Sequence, residues 1–458
     1  MKKNSVLVVF GTEMPKEDLS QYDMVLSGEE LEAFIEPGSI YEASAFAEEL
    51  SYTKLHDGTR LVKSFIYEGY ELWWLYYNSL FTYFGLPYAQ YKKLLTYLTN
   101  FRNVTFYKPP FKSLFYYYLE AWGCRMNILR ESGFKTLAPL PFGILLQIFI
   151  TLLSIPILMF QKRQLMIFIG DKFEKSQDYD ARMKFVYQEL RQRKIPFVEF
   201  IRSLESWKVL LEHAFIRRRP VIYSEAVAFM GSFLSVFSGG HRHANLKLRK
   251  FEKEVLVSQT PEARFKFLVA NHYLKSVNDD IWAMRIMKWI MGGIGIKAGL
   301  FTAALDRNFH AVFGCKLNAI PTVGILHGVA SRYYNVYDFL PGFDGEKSVA
   351  LDKYGVWSEW WKEYYVKNGK AYKPEQLFIS GPMRPIQPQA VNSNNTRSTS
   401  GRQKINVLLV SEIVAVPTEV LPYLVALMSI ESFSVYIKFR ANRDSFEAWL
   451  KSRHPEIL

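Results

Sequence analysis

Five short stretches place groups that can handle a phosphate or an acceptor hydroxyl at the ends of apolar runs. In IPTVGILHGVASR, the run Val323–Leu326 ends in His327 and Gly328. An apolar run of this length reads as a buried strand, and ligands of open parallel sheets sit just beyond the carboxyl ends of strands. A histidine there can act as a general base or donate to a phosphate oxygen. Gly328 lets a ligand approach the backbone closely. Ser331 and Arg332 follow within reach of the same mouth, and Arg332 can grip a phosphate through two hydrogen bonds. The plainer alternative is a loop histidine with partners of its own.

The other four stretches repeat the arrangement. In GVWSEWWKEYY, Glu359 follows a strand and opens a helix. A carboxylate in a first helical turn is favourable in any case, so capping and contact with a sugar or nucleotide hydroxyl both account for it. Trp357, Trp360 and Trp361 read as core, with a stacking wall or membrane contact as alternatives. In FISGPMRP a strand ends, Gly381 turns the chain, and Arg384 emerges between stiffening prolines. Such a loop suits a pyrophosphate. LLVSE brings Glu412 to a further strand end, and VYIKFRANR brings Lys438, Arg440 and Arg443; for a lysine there, an anion contact and a solvated charge are equally common. His241 and His243 lack a third partner for a metal, and HExxH, GxSxG and kinase signatures are absent, so no metal is expected. GGIGIKAG (292–299) lacks the spacing of a phosphate loop and reads as helix packing or a helix break.

These groups need a frame. From Gln164 onward, short apolar runs (QLMIFIG, IPFVEFI, PVIYSEAV) alternate with helical stretches such as KFVYQELRQR. A second alternation follows from IPTVGILHG to EQLFISG. This rhythm predicts α/β units with parallel sheets. SVLVVF, near the amino terminus, reads as a strand rather than a signal peptide. Residues 387–404 are polar and aperiodic, as in a flexible loop.

The segment Thr136–Gln161 contains no charged residue. Roughly 20 helical residues cross a bilayer's hydrocarbon layer, so it is long enough, although Pro156 would kink it. If the strands at 5–10 and 164–170 share a sheet, this segment dips into the membrane and returns, or pairs with an upstream stretch. The aromatic stretches Leu61–Tyr88 and Lys112–Trp122 suit interfacial helices with rings at headgroup depth. The formal charge of +13, from 57 Lys and Arg against 44 Asp and Glu, points to an anionic partner. No stripe of interleaved basic and aromatic residues supports nucleic acid. Cys124 and Cys315, the two cysteines, form no metal spacing and are compatible with a reducing compartment.

In order and spacing, IPTVGILHG, YGVWSEWWKEYYVKNG, LFISGPMRP, NVLLVSE and YIKF resemble the carboxyl-terminal half of bacterial surface-polysaccharide glycosyltransferases of the two-Rossmann-domain (GT-B) class, over about Ala311–Phe439. The resemblance implies an α/β, GT-B-like fold whose amino-terminal half carries inserted, membrane-associating hydrophobic helices. Residues 1–60 and 162–310 would form the acceptor-side domain, 61–161 the insertion, and 311–458 the donor-binding domain. The last holds few strands beyond the loop, so it is expected to be truncated or small. The implied activity is metal-independent transfer of a sugar from a nucleotide-sugar to a lipid-linked or glycan acceptor, without a cofactor. It would take place at an anionic membrane surface, with the catalytic domains on the cytoplasmic side. His327 and Glu359 would be catalytic. Gly328, Ser331, Arg332, Gly381, Arg384, Glu412 and Lys438 would hold the donor and its phosphates. A glycerol- or ribitol-phosphate transferase of related fold and a non-catalytic membrane partner are the alternatives. Oligomeric state is left open.

Overall fold

The computed structural model describes residues 3–458 except 12, 37, 130–141, 162–164, 170–172, 175–178, 181–182, 202–209, 212–219, 238–240, 302–308, 327–342, 349, 383–403, 411–416 and 440–444. The chain is mixed α/β, with two larger parallel sheets flanked by helices. The first sheet contains β1 (Lys3–Val9), β2 (Met24–Leu26), β3 (Phe101–Tyr107) and β4 (Arg125–Leu129), in the order β2-β1-β3-β4. Helices α1 (Ile40–Tyr52), α2 (Leu86–Leu98) and α3 (Lys112–Ala121) belong to the same part of the chain. The α/β rhythm of the sequence is therefore real, and it begins before residue 164.

The second sheet has seven strands, all parallel: β5 (Leu165–Ile169), β6 (Phe197–Ile201), β7 (Val221–Tyr223), β8 (Ala298–Phe301), β9 (Thr322–Ile325), β10 (Lys353–Val356) and β11 (Leu377–Ile379). Their order is β7-β6-β5-β8-β9-β10-β11. The chain starts in the middle, builds outward to β7, then returns to the other flank of β5. This is the doubly wound order of dinucleotide-binding sheets, with its switch point between β5 and β8. β1 and β5 stand in different sheets, so the condition for a re-entrant segment set by a shared sheet does not arise. The β8–β9 pairing runs across residue 311. A separate parallel pair, β12 (Ile405–Val410) and β13 (Phe433–Lys438), packs with α10 (Pro417–Met428) and α11 (Ser445–Arg453) around Leu424, Phe446 and Leu450.

The charge-free segment forms α4 (Phe142–Phe160), which runs through Pro156. Of the described helices it is the one long and apolar enough to cross a membrane, and 33% of that window is buried. Its buried stripe is Gln147, Ile150, Thr151, Ser154, Ile155 and Leu158, a helical spacing. This stripe lies on β7, the edge of the seven-stranded sheet. An edge strand exposes N–H groups that need acceptors. Thr151 Oγ1 accepts from the Tyr223 N–H at 3.1 Å, and Ser154 Oγ accepts from the Val221 N–H at 3.1 Å. Leu145, Phe149, Leu152, Leu153 and Phe160 face outward.

The aromatic stretch at 61–88 does not form an interfacial helix. It folds as a hairpin (Ile66–Glu71) and short helical turns, with Trp73 and Trp74 fully buried. Trp73 Nε1 donates to Ser51 Oγ at 2.7 Å and Trp74 Nε1 to Glu71 Oε2 at 2.9 Å. With both indole donors satisfied inside, the rings are more stable in the core than at a headgroup layer. The third aromatic patch is α3, whose Leu114, Phe115, Tyr118 and Leu119 are likewise buried. One continuous core joins these rings to both larger sheets, from Val6 and Phe106 to Met287 and Val356.

The β7 edge provides a direct test. Thr151→Val and Ser154→Ala each leave a buried N–H without its acceptor. Each should cost about 1–3 kcal/mol of unfolding free energy in urea, whereas Thr151→Ser should stay near wild type.

Candidate functional site

Three of the sequence motifs follow neighbouring strands of the seven-stranded sheet. β9, β10 and β11 are consecutive parallel neighbours. Their exits lead to His327, Glu359 and Arg384 respectively. Neighbouring strands lie about 4.8 Å apart, so the outer two exits are separated by on the order of 10 Å. Glu359 opens α9 (Glu359–Asn368) in its first turn and is exposed. Ser358 makes no side-chain cap at this end, so the Glu359 carboxylate is the acidic group beside the helix's free N–H groups. Gly381 has φ +71°, a left-handed conformation that a side chain would strain. It stands just past the end of β11. Ser380 secures that exit, its N–H donating to the Val356 carbonyl at 2.8 Å.

Trp357 has a role that composition alone left open. Its Nε1 donates to the Leu326 carbonyl at 2.5 Å, tying the start of α9 to the residue before His327. Trp357 and Trp361 are half-buried against the core and meet edge-on at 6.0 Å. Trp360 stays 60% exposed and stacks on Tyr364 at 5.4 Å. Two of the three tryptophans are therefore packing residues, and the third is a free aromatic face near the same edge.

His327, Gly328, Ser331, Arg332, Arg384 and Glu412 lie outside the described residues, as does the loop at 387–404. Lys438 is exposed at the end of β13, in the two-stranded sheet and not in the seven-stranded one. The helix that begins at His241 carries His241 and His243, whose side chains are likewise outside the described set. Among the described residues, no group of three or more His, Cys, Asp or Glu could hold a metal. GGIGIKAG ends a helix: α7 (Val277–Ile294) stops at Gly295, whose φ of +67° caps it, and Gly299 enters β8.

One residue of the edge escaped the sequence reading. α8 (Phe309–Lys316) follows β8, so its start lies on the carboxyl side of the sheet beside the switch point. His310 is its second residue and is 5% exposed. Neither ring nitrogen has a hydrogen-bond partner among the described residues. Burial pushes its pKa down to about 3, which leaves a neutral imidazole. Its sequence signal was faint, a lone histidine in the apolar run FHAVFGC. At the opposite, amino edge a cavity of about 470 Å³ is lined by Lys316 and Asp352. Burial lowers the Lys316 pKa, and Asp352 is engaged with the Thr322 N–H and hydroxyl at 2.8 Å each. That edge receives the carboxyl ends of the connecting helices, which disfavour anions.

His272 is a second histidine that sequence reading passed over. It lines a 290 Å³ cavity with Lys112 and Ser113, close to the exit of β3. Its Nδ1 lies 3.0 Å from the Tyr117 hydroxyl, and burial lowers its pKa.

No protein-family model matches the chain, and no curated protein matches it. Its class therefore rests on architecture: an α/β protein with two Rossmann-like parallel-sheet regions and one membrane-length apolar helix. That architecture is compatible with nucleotide-sugar-binding enzymes in general.

His310 gives a pH prediction with a definite sign. A folded-state pKa below the ordinary value of about 6.5 means the unfolded chain binds the extra proton. Wild-type stability should fall as pH drops from about 6.5 toward 3, and this His310-dependent loss should be absent above that window. His310→Leu should flatten that part of the profile and be neutral or stabilising at pH 7, as measured by unfolding free energy against pH.

Proposed function

We propose that the protein is a membrane-associated glycosyltransferase that moves a sugar from a nucleotide-sugar donor to a lipid-linked or glycan acceptor. The observation that carries this reading is the adjacency of β9, β10 and β11, which lead one after another to the His-Gly, Ser-Glu and Gly-x-x-Arg motifs. A nucleotide-sugar leaves a diphosphate behind. The developing charge can be stabilised by Arg332, Arg384 and the amino end of α9 without a metal. In this reading His327 takes the proton of the acceptor hydroxyl, and Glu359 orients a donor hydroxyl. Gly328, Ser331 and Gly381 let the backbone close on the phosphates. Glu412 and Lys438, the latter at the end of β13, are the remaining donor-side groups of this reading.

The outward apolar face of α4 supports seating at a bilayer. With its inner stripe bonded to β7, α4 would lie in the membrane surface rather than pass through it. The basic surplus favours an anionic leaflet. The reading places the α/β units on the cytoplasmic side, where the two buried cysteine thiols stay reduced.

Thermal unfolding against a panel of nucleotides, nucleotide-sugars and nucleotide-activated polyols tests the donor class. A matching ligand at a hundred times its Kd should stabilise by about 2.7 kcal/mol. Selective stabilisation by activated polyols would replace sugar transfer with polyol-phosphate transfer, and no stabilisation by any of them would end the enzymatic reading. His327→Ala should lower turnover by roughly 10²–10⁴-fold with membrane retention unchanged. Near-wild-type turnover would remove His327 from the mechanism.

A further inference from the structure

Two more helices share the outward face of α4: α5 (Ser224–Phe237) and α7. Gly231 lets α5 lie directly on α7, because a Cβ there would meet the Asp279 carbonyl oxygen at 2.7 Å and the Ala283 nitrogen at 2.8 Å. Ser232 and Ser235 both donate to Asp279, fixing the pair. Between the three helices opens a cavity of about 550 Å³. Ile148 lines it from α4, Phe229 and Phe233 from α5, and Trp282, Ile286 and Trp289 from α7. Of its lining, Phe233 is 56% and Trp289 66% exposed.

Arg285 is the charged member of this otherwise apolar lining. Its guanidinium lies 4.9 Å from the centre of the Trp282 ring and 5.7 Å from that of Tyr67. Its Nε donates to the Tyr67 hydroxyl at 3.1 Å. No carboxylate pairs with it among the described residues. An arginine held between two aromatic rings is pre-oriented, and its remaining N–H donors match a phosphate. An apolar slot with one cation in its lining complements an amphiphile that has a hydrocarbon tail and an anionic head.

We propose that this cavity takes one hydrocarbon chain of a phosphate-headed membrane lipid, with Arg285 holding the head. The inference rests on the membrane-seated part of the preceding reading and is independent of sugar transfer. Continuity with the outward face of α4 gives the chain a path from the bilayer without crossing water.

The test is calorimetric titration of the full chain, in a non-ionic detergent, with octyl, decyl and dodecyl phosphate, decanol and inorganic phosphate. Decyl phosphate should bind saturably at one site, and decanol at least tenfold more weakly. Inorganic phosphate should neither bind nor compete. Affinity should rise about fourfold per methylene and level off when the cavity is full. Arg285→Gln, at an exposed position, should weaken decyl phosphate about tenfold and leave decanol unchanged. Leu234→Trp, which narrows the cavity, should bring the levelling-off to a shorter chain. Equal binding of decyl phosphate by wild type and Arg285→Gln would overturn the proposal, as would full competition by inorganic phosphate or the absence of saturable binding. Vesicle association without saturable binding would end this site and leave membrane seating standing. Saturable lipid binding without any nucleotide response would keep the site and sink the transferase reading alone.

Discussion

The backbone N–H groups of a sheet edge must find acceptors, and here a helix that looks built for lipid supplies them. α4 contains no charge, yet Thr151 and Ser154 place two hydroxyls one helical turn apart on its inner stripe. They meet the Tyr223 and Val221 N–H groups of β7. Detaching α4 from β7 would strand those donors in an apolar setting, at a cost of about 1–3 kcal/mol each. α4 is thus a structural wall of the seven-stranded sheet, and its orientation is set before any membrane is considered. What it offers the outside is a side face, not a pair of ends. That side face is shared with α5 and α7, so the apolar surface and the slot behind it follow from the same edge contact.

A second constraint comes from the aromatic stretch at 61–88. Trp73, Trp74 and Tyr77 are fully buried in the core cluster that also holds residues of both larger sheets. Edge-on contacts such as Trp73 with Tyr273 at 6.2 Å and Trp74 with Phe343 at 5.0 Å link this stretch to the helical region and to the chain before β10. Glu71, buried under Trp74, also receives the Lys63 ammonium, so its charge is compensated inside the core. The stretch is rich in aromatic and aliphatic side chains, and these belong to the continuous core. The same property made it resemble a membrane-facing segment when read alone.

The motif-bearing edge was partly legible in advance. Val323–Leu326, Gly355–Glu359 and Phe378–Gly381 each show an apolar run followed by turn chemistry, and strands end there as expected. That the three strands are neighbours was not legible, because strand order depends on which helix crosses which face. His310 was hidden for a related reason. A histidine inside FHAVFGC carries no periodic signal, and only the place of α8 after β8 puts it beside the switch point. Trp357 shows the reverse case: its indole bond to Leu326 needs β9 and β10 adjacent, so the residue could be named but its role could not.

The sequence by itself determined the alternation of strands and helices, the apolar length of α4, the basic surplus and the residue types at the strand ends. These follow from local periodicity and composition, which act over a few residues. Tertiary structure alone decided that β1 and β5 belong to separate sheets, that Trp73 and Trp74 face inward, and that α4 lies along a sheet edge. Each of those outcomes depends on a hydrogen-bond or packing partner distant in the chain, such as Ser51 for Trp73 or Tyr223 for Thr151. An apolar side chain gains from leaving water whether lipid or protein receives it, so only the position of the polar partners separates the two.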